Sequence, residues 1–245
     1  MKHQMLLLSI AAALLMSCAA GSVAQESYTL TYRFQPGTTY LYADTSRATQ
    51  IQEMMGQEMK ITTLLTMRAR IAGEQMQDDG TMIFMTSFDS MTVATKSPRG
   101  DTTMVMQDIL GKRTRMTVTA VGALLRREII DTVKQSRNMM RGISMRESAR
   151  FHRLSAEPVG VGSSWKSDVV DSTDMMNGKL ISHHTMTYTV TGKTVCEGRA
   201  CLQIGYAGDI TLEGKGSMRG MELFMEGKGK TSGTLNFDYG DGLIV

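Results

Sequence analysis

Little in this sequence points to catalysis. Of 245 residues, three are cysteine and four are histidine. After the first 24 residues only His152, His183 and His184 remain. None falls in an HExxH pair or beside a GxSxG elbow, and the acidic residues are scattered along strand faces expected to be solvated. This excludes the usual zinc-hydrolase and serine-hydrolase layouts, and the chain reads as a non-enzyme with no cofactor. Charge of one sign is also lacking. The formal net charge is +3, or about +2 without Lys2, so there is no bulk electrostatic case for nucleic acid. Long hydrophobic runs are missing after the opening segment, and with them any lasting membrane-spanning helix.

The opening segment has the tripartite layout of an export signal. Lys2 precedes the apolar run from Met5 to Met16, which is followed by small residues. Twelve residues make roughly 18 Å of helix, too short for a bilayer core of about 30 Å. Two processing sites overlap in "LLMSCAAGSVAQES". Leu15-Met16-Ser17-Cys18 resembles a bacterial lipoprotein box, with Met16 where a small residue is usual, and would leave Cys18 lipidated. Ser22-Val23-Ala24 suits a general cut after Ala24. Either route exports the chain, to the periplasm or to an outer-membrane anchor through the lipid on Cys18. The expected mature chain, 25–245, is a single β-rich domain, with two similar halves meeting near 155–162. The end at "DGLIV" reads as a truncation within another strand.

Period-two alternation dominates and predicts half-buried strands. Examples are Tyr28, Leu30, Tyr32 and Phe34; Leu65, Met67, Ala69 and Ile71; and Leu202, Ile204 and Tyr206. Turn signals at Pro36-Gly37, Asp78-Asp79-Gly80, Gly122, Thr191-Gly192-Lys193, Arg219-Gly220 and Asp241-Gly242 divide about ten strands. The expected fold is mainly β: a curved antiparallel sheet, as a half-barrel or open barrel, with one or two covering helices. A short helix is expected over Asp101–Gly111, and a longer one over Asp131–Leu154 carrying Val133, Met140, Ile143, Phe151 and Leu154. Gly37 and Gly162 each precede two hydroxyl residues and an aromatic, and each is expected to open a long strand after a tight turn. If Arg219-Gly220 is a two-residue loop, Gly214 faces Met225, Gly216 faces Leu223 and Leu212 faces Gly227, so that glycines bend the hairpin.

The cysteines beyond the signal, Cys196 and Cys201, read as a disulfide across a four-residue loop, Glu197 to Ala200. Gly229-Lys230-Thr231 lacks the upstream glycine and the following helix of a phosphate loop and reads as glycine-rich strand. From Arg126 to Arg153 eight basic residues face three acids. The preferred reading is a solvated helix surface, with contact to anionic head groups as the alternative.

Methionine is the compositional anomaly. Twenty of the 23 lie beyond Ala24, against 14 leucines. Thioethers are flexible and polarizable, and suit an apolar surface that adapts to varied shapes. They also suit Cu(I), with His183, His184 and Met186 as companions, but no ligand spacing repeats, so no metal site is assigned.

The stretches "YTLTYRFQPGTTYLY", "EPVGVGSSW" and "GTLNFDYGDGLIV" together resemble a family of bacterial envelope proteins, often lipoproteins, known as a domain of unknown function. That resemblance implies no catalytic residue. The layout is also similar to the periplasmic lipoprotein-carrier half-barrel, which implies a concave side that holds acyl chains. The expected function is binding of an apolar or lipid-like ligand on a Met-rich concave face, with Trp165, Met218, Met221 and Met225 as lining. The alternatives are an interaction module with a filled core, and Cu(I) sequestration.

Overall fold

The computed structural model describes residues 26–54, 57–131, 151–175, 178–218 and 221–245. Eleven strands and one turn of 3-10 helix make up its regular structure. Strands β1 (Thr39–Met54), β2 (Gln57–Met76), β3 (Met82–Lys96), β5 (Thr114–Val118) and β6 (Leu124–Ile129) pair in that order, with β4 (Thr102–Val105) attached to β3. The second sheet runs β11 (Leu243–Ile244), β10 (Met221–Asp238), β9 (Arg199–Met218), β8 (Gly178–Cys196) and β7 (Ser164–Met175). All pairings within the sheets are antiparallel, and one sheet curls into a half-barrel.

Local sequence explains these elements. Met67, Ala69 and Ile71 are buried on β2 while Arg68 and Arg70 are exposed, which is the period-two rule at work. Gly37 and Gly162 both take the left-handed backbone that glycine permits, at φ 78° and 90°, and each lies two residues before the first strand of its sheet. The β9–β10 register follows the expected pairing: Gly214 with Met225, Gly216 with Leu223 and Leu212 with Gly227. Across the same pair Gly233 lies opposite Tyr206, whose ring covers the space a side chain there would need.

Three expectations are corrected. Residues 102–105 form a strand because the turn at Ser97–Gly100 folds Thr102, Thr103 and Val105 back onto β3, where β-branched side chains fit; only Gln107–Ile109 makes a helical turn. Thr191-Gly192-Lys193 is no turn, since β8 passes through it with a bulge between Val190 and Gly192. The reversal instead occurs at Glu197-Gly198, both with positive φ, as a two-residue hairpin turn requires. No α-helix occurs among the described residues, and most of the helix expected over Asp131–Leu154 lies outside them. Its last residues, 151–154, are described and are not helical.

Two extended segments fill the space between the sheets at one end. The first places Leu30, Tyr32 and Phe34 in the core; Tyr32 donates its N–H to the Ala120 carbonyl and Arg33 to Gly242, tying it to both halves. The second buries Phe151 and Leu154, and Leu154 donates to the Val121 carbonyl. Around them pack Ile71, Phe84, Met116, Val190, Ile204 and Phe237, with Phe151 in ring contact with Tyr32, Phe34 and Phe84.

Candidate functional site

Next to that packed end, residues of both sheets line a cavity of about 570 Å³. Its wall is built by alternation on both sheets. Leu65 and Met67 come from β2, Met116 and Val118 from β5, Met186 and Tyr188 from β8, and Tyr206 and Ile210 from β9. On β3 the inward set shifts from Phe88 to Met91 because the bulge at Asp89 changes the phase. Asp89 itself points outward and is gripped by Arg70 Nε at 2.8 and 2.9 Å. The excursion after β4 packs Met106, Ile109 and Leu110 on the cluster of Met67, Phe88 and Met91.

The polar part of the wall comes from the strap at 151–153 and from the strands facing it. His152, Arg153, Asp44 and Asp171 all line the cavity. Tyr32 donates its hydroxyl to the His152 carbonyl at 3.0 Å, and Trp165 Nε1 donates to the Arg153 carbonyl at 2.8 Å. The His152 ring shares a 3.4 Å hydrogen bond with the Tyr188 hydroxyl and lies 4.7 Å from the Tyr206 ring. Burial lowers the His152 pKa to about 4, so the imidazole is neutral at pH 7. Burial also raises the pKa of Tyr188, and of Tyr206, where the charge of Asp44 adds to it. A second cavity of about 120 Å³ shares Asp44, Phe151 and His152 with the first.

The residues singled out from the sequence are placed as follows. Trp165 stands behind the wall, stacked on Tyr188 with ring centroids 5.3 Å apart and planes 10° from parallel. Met218 and Met221 pair at the far end of the β9–β10 hairpin and Met225 opposes Gly214, but their side chains lie outside the described part of the structure, as does Cys18. Cys196 and Cys201, expected to pair, are both thiols in this structure. Cys196 opposes Arg199 and Cys201 opposes Thr194, so the pair sits diagonally across the hairpin. Burial and the hydrogen bond with Cys196 push the Cys201 thiol up to about 11. His184 and Met186 line the cavity, whereas His183 points to the outer face beside Asp168, at 3.8 Å, so the three do not converge.

Sequence reasoning missed His152, Arg153, Asp44 and Asp171. Arg153 was absorbed into a basic run expected to be solvated, and His152 was merely one of the few histidines. No signal of the strap was available: Phe151 and Leu154, three apart, have the spacing of a helix face. Comparison with family models, curated proteins and solved structures finds no match, so the functional reading rests on this geometry.

Proposed function

We propose that the chain is a non-enzymatic, exported cell-envelope protein that holds an apolar or lipid-like ligand between its two sheets. The single observation that carries this reading is the cavity of about 570 Å³, whose wall includes Met67, Met91, Met116 and Met186. Its size lies within the roughly 300–1,000 Å³ of ordinary ligand sites, and its wall, like theirs, combines apolar side chains with polar ones, here from β1, β7, β8, β10 and the strap. Methionine adapts its shape at low cost, which suits chains of varied length and unsaturation. Burying a methylene contributes roughly 0.8 kcal/mol, so a chain of about ten methylenes gains enough to bind at micromolar levels even after several kcal/mol of ordering costs.

Native mass spectrometry after gentle extraction tests the reading, together with uptake of a fluorescent fatty acid. A bound lipid mass and saturable uptake are expected. Repeated recovery of bare protein with no uptake would remove the proposal and leave an interaction module. The lipid anchor is tested separately by growing cells with a clickable fatty acid, since only processing at Cys18 attaches it and thereby tethers the protein to a membrane.

A further inference from the structure

The inference concerns the ligand's head and rests on the proposed function. Arg153 is held in the wall by its backbone: its carbonyl accepts from Trp165 Nε1 at 2.8 Å, and its N–H bonds the Tyr188 hydroxyl. The residue is half-buried and lines the cavity, its guanidinium feels the charges of Tyr188 and Asp171, two other lining residues, and it makes no ion pair with any carboxylate among the described residues. Asp171 attracts it only through space, and that attraction is outweighed by the loss of water around the cation. A partly desolvated guanidinium offers up to five donors in a planar fork that matches a carboxylate or phosphate. The same cavity is lined by apolar side chains, among them Met67, Met91 and Met116.

We propose that Arg153 receives the negatively charged head group of an amphiphile, a fatty-acid carboxylate or a lipid phosphodiester, while the acyl chain lies along the methionine-lined wall. The recognised chemistry is a monoanion. Asp44 and Asp171 on the same wall oppose a second negative charge and would favour a cation if they governed the site instead.

Calorimetric titration of the full chain with oleate, oleyl alcohol, oleylamine and lysophosphatidylglycerol separates these cases, repeated on Arg153→Gln and Arg153→Lys. Oleate or the phosphodiester lipid should bind on the order of 10- to 100-fold more tightly than the alcohol, the gain expected of a charge-assisted hydrogen-bonded pair. That gap should vanish in Arg153→Gln and survive in part in Arg153→Lys, with oleyl alcohol bound equally by all three proteins, which also reports that they are folded. The tighter of the two anions identifies the source of the head group. Equal affinity for alcohol and anions in the native chain, oleylamine binding most tightly, or a gap that persists in Arg153→Gln would overturn the assignment of Arg153 alone. Failure of all four to bind would overturn the cavity reading and this inference with it.

Discussion

Acidification should weaken the folded state through one residue, His152. Burial holds its folded pKa at about 4, against 6.5 for an ordinary histidine. Because the folded value is the lower one, the unfolded chain binds more protons through this window. Stability is therefore intact above about pH 6.5, falls as the pH drops towards 4, and levels off below. Integrating proton uptake between those two values gives a loss of roughly 2 kcal/mol by pH 5 and about 3 kcal/mol below pH 4. For a chain of this size that corresponds to roughly 4–8 °C in Tm at pH 5. The perturbation is His152→Gln, and the assay is urea denaturation of both proteins at pH 8, 6 and 5. The variant loses ring contacts with Tyr188 and Tyr206 at every pH, so its absolute stability is not the readout. The readout is the difference between the two proteins, which should shrink by about 2 kcal/mol from pH 8 to pH 5. Remaining histidines are common to both and cancel. Asp131, held at about 2 chiefly by its hydrogen bonds with Arg113, loses its contribution only as the pH falls from about 4 towards 2, outside the window. Parallel pH dependences of the two proteins would refute the claim that His152 is buried neutral.

Three other perturbations follow from named contacts. Gly73→Ala would place a Cβ 2.3 Å from the Gln35 carbonyl oxygen, where the backbone cannot give way, so a loss of about 2 kcal/mol or more in urea denaturation is expected. Trp165→Phe keeps an aromatic ring on Tyr188 but leaves the Arg153 carbonyl without its donor; thermal melts should show a loss of about 1–2 kcal/mol. Ile210→Trp enlarges a side chain that already lines the cavity, and should cut fatty-acid uptake at least about tenfold while stability changes by about 1 kcal/mol; unchanged uptake would place the ligand elsewhere.

The β architecture was legible in the sequence wherever alternation and turn chemistry agree. Leu202, Ile204, Leu235 and Phe237 are buried as their spacing requires, and the glycine-bearing hairpin has the register that a two-residue loop imposes. What escaped was whatever depends on a single extra residue or on a distant partner. Asp89 and Thr191 sit at bulges that alternation alone does not reveal, and β4 was mistaken for helix because its pairing with β3 is a tertiary fact. The cavity was legible only as a type of surface. Inner-face methionines are the same in a filled core and in a lining, and the distance between sheets decides which they become. Trp165, expected as lining, stands behind the wall, where it stacks on Tyr188 and donates to the Arg153 carbonyl.

That distance has a structural cause. Two sheets packed directly face to face stand about 10 Å apart, close enough for their side chains to interdigitate and exclude a cavity. Here the segment carrying Leu30, Tyr32 and Phe34 and the strap carrying Phe151 and Leu154 are inserted between the sheets at one end, and all five side chains are buried there. A layer of backbone between two faces keeps their side chains from interdigitating where it lies. At the packed end the inserted aromatics fill the space between the sheets. The cavity begins beside Phe151, His152 and Arg153, all three of which line it. The same wedge that opens the site therefore also delivers its polar edge, because His152 and Arg153 are the strap residues beside Phe151 that line it. Shortening the wedge should close the gap: in Phe151→Ala the rings of Tyr32, Phe34 and Phe84 lose their common partner. A loss of about 3–5 kcal/mol is expected for a buried phenylalanine, together with weakened uptake of a fluorescent fatty acid at temperatures where the variant is still folded. Full uptake by a folded, destabilised Phe151→Ala would mean that the sheets hold themselves apart without it.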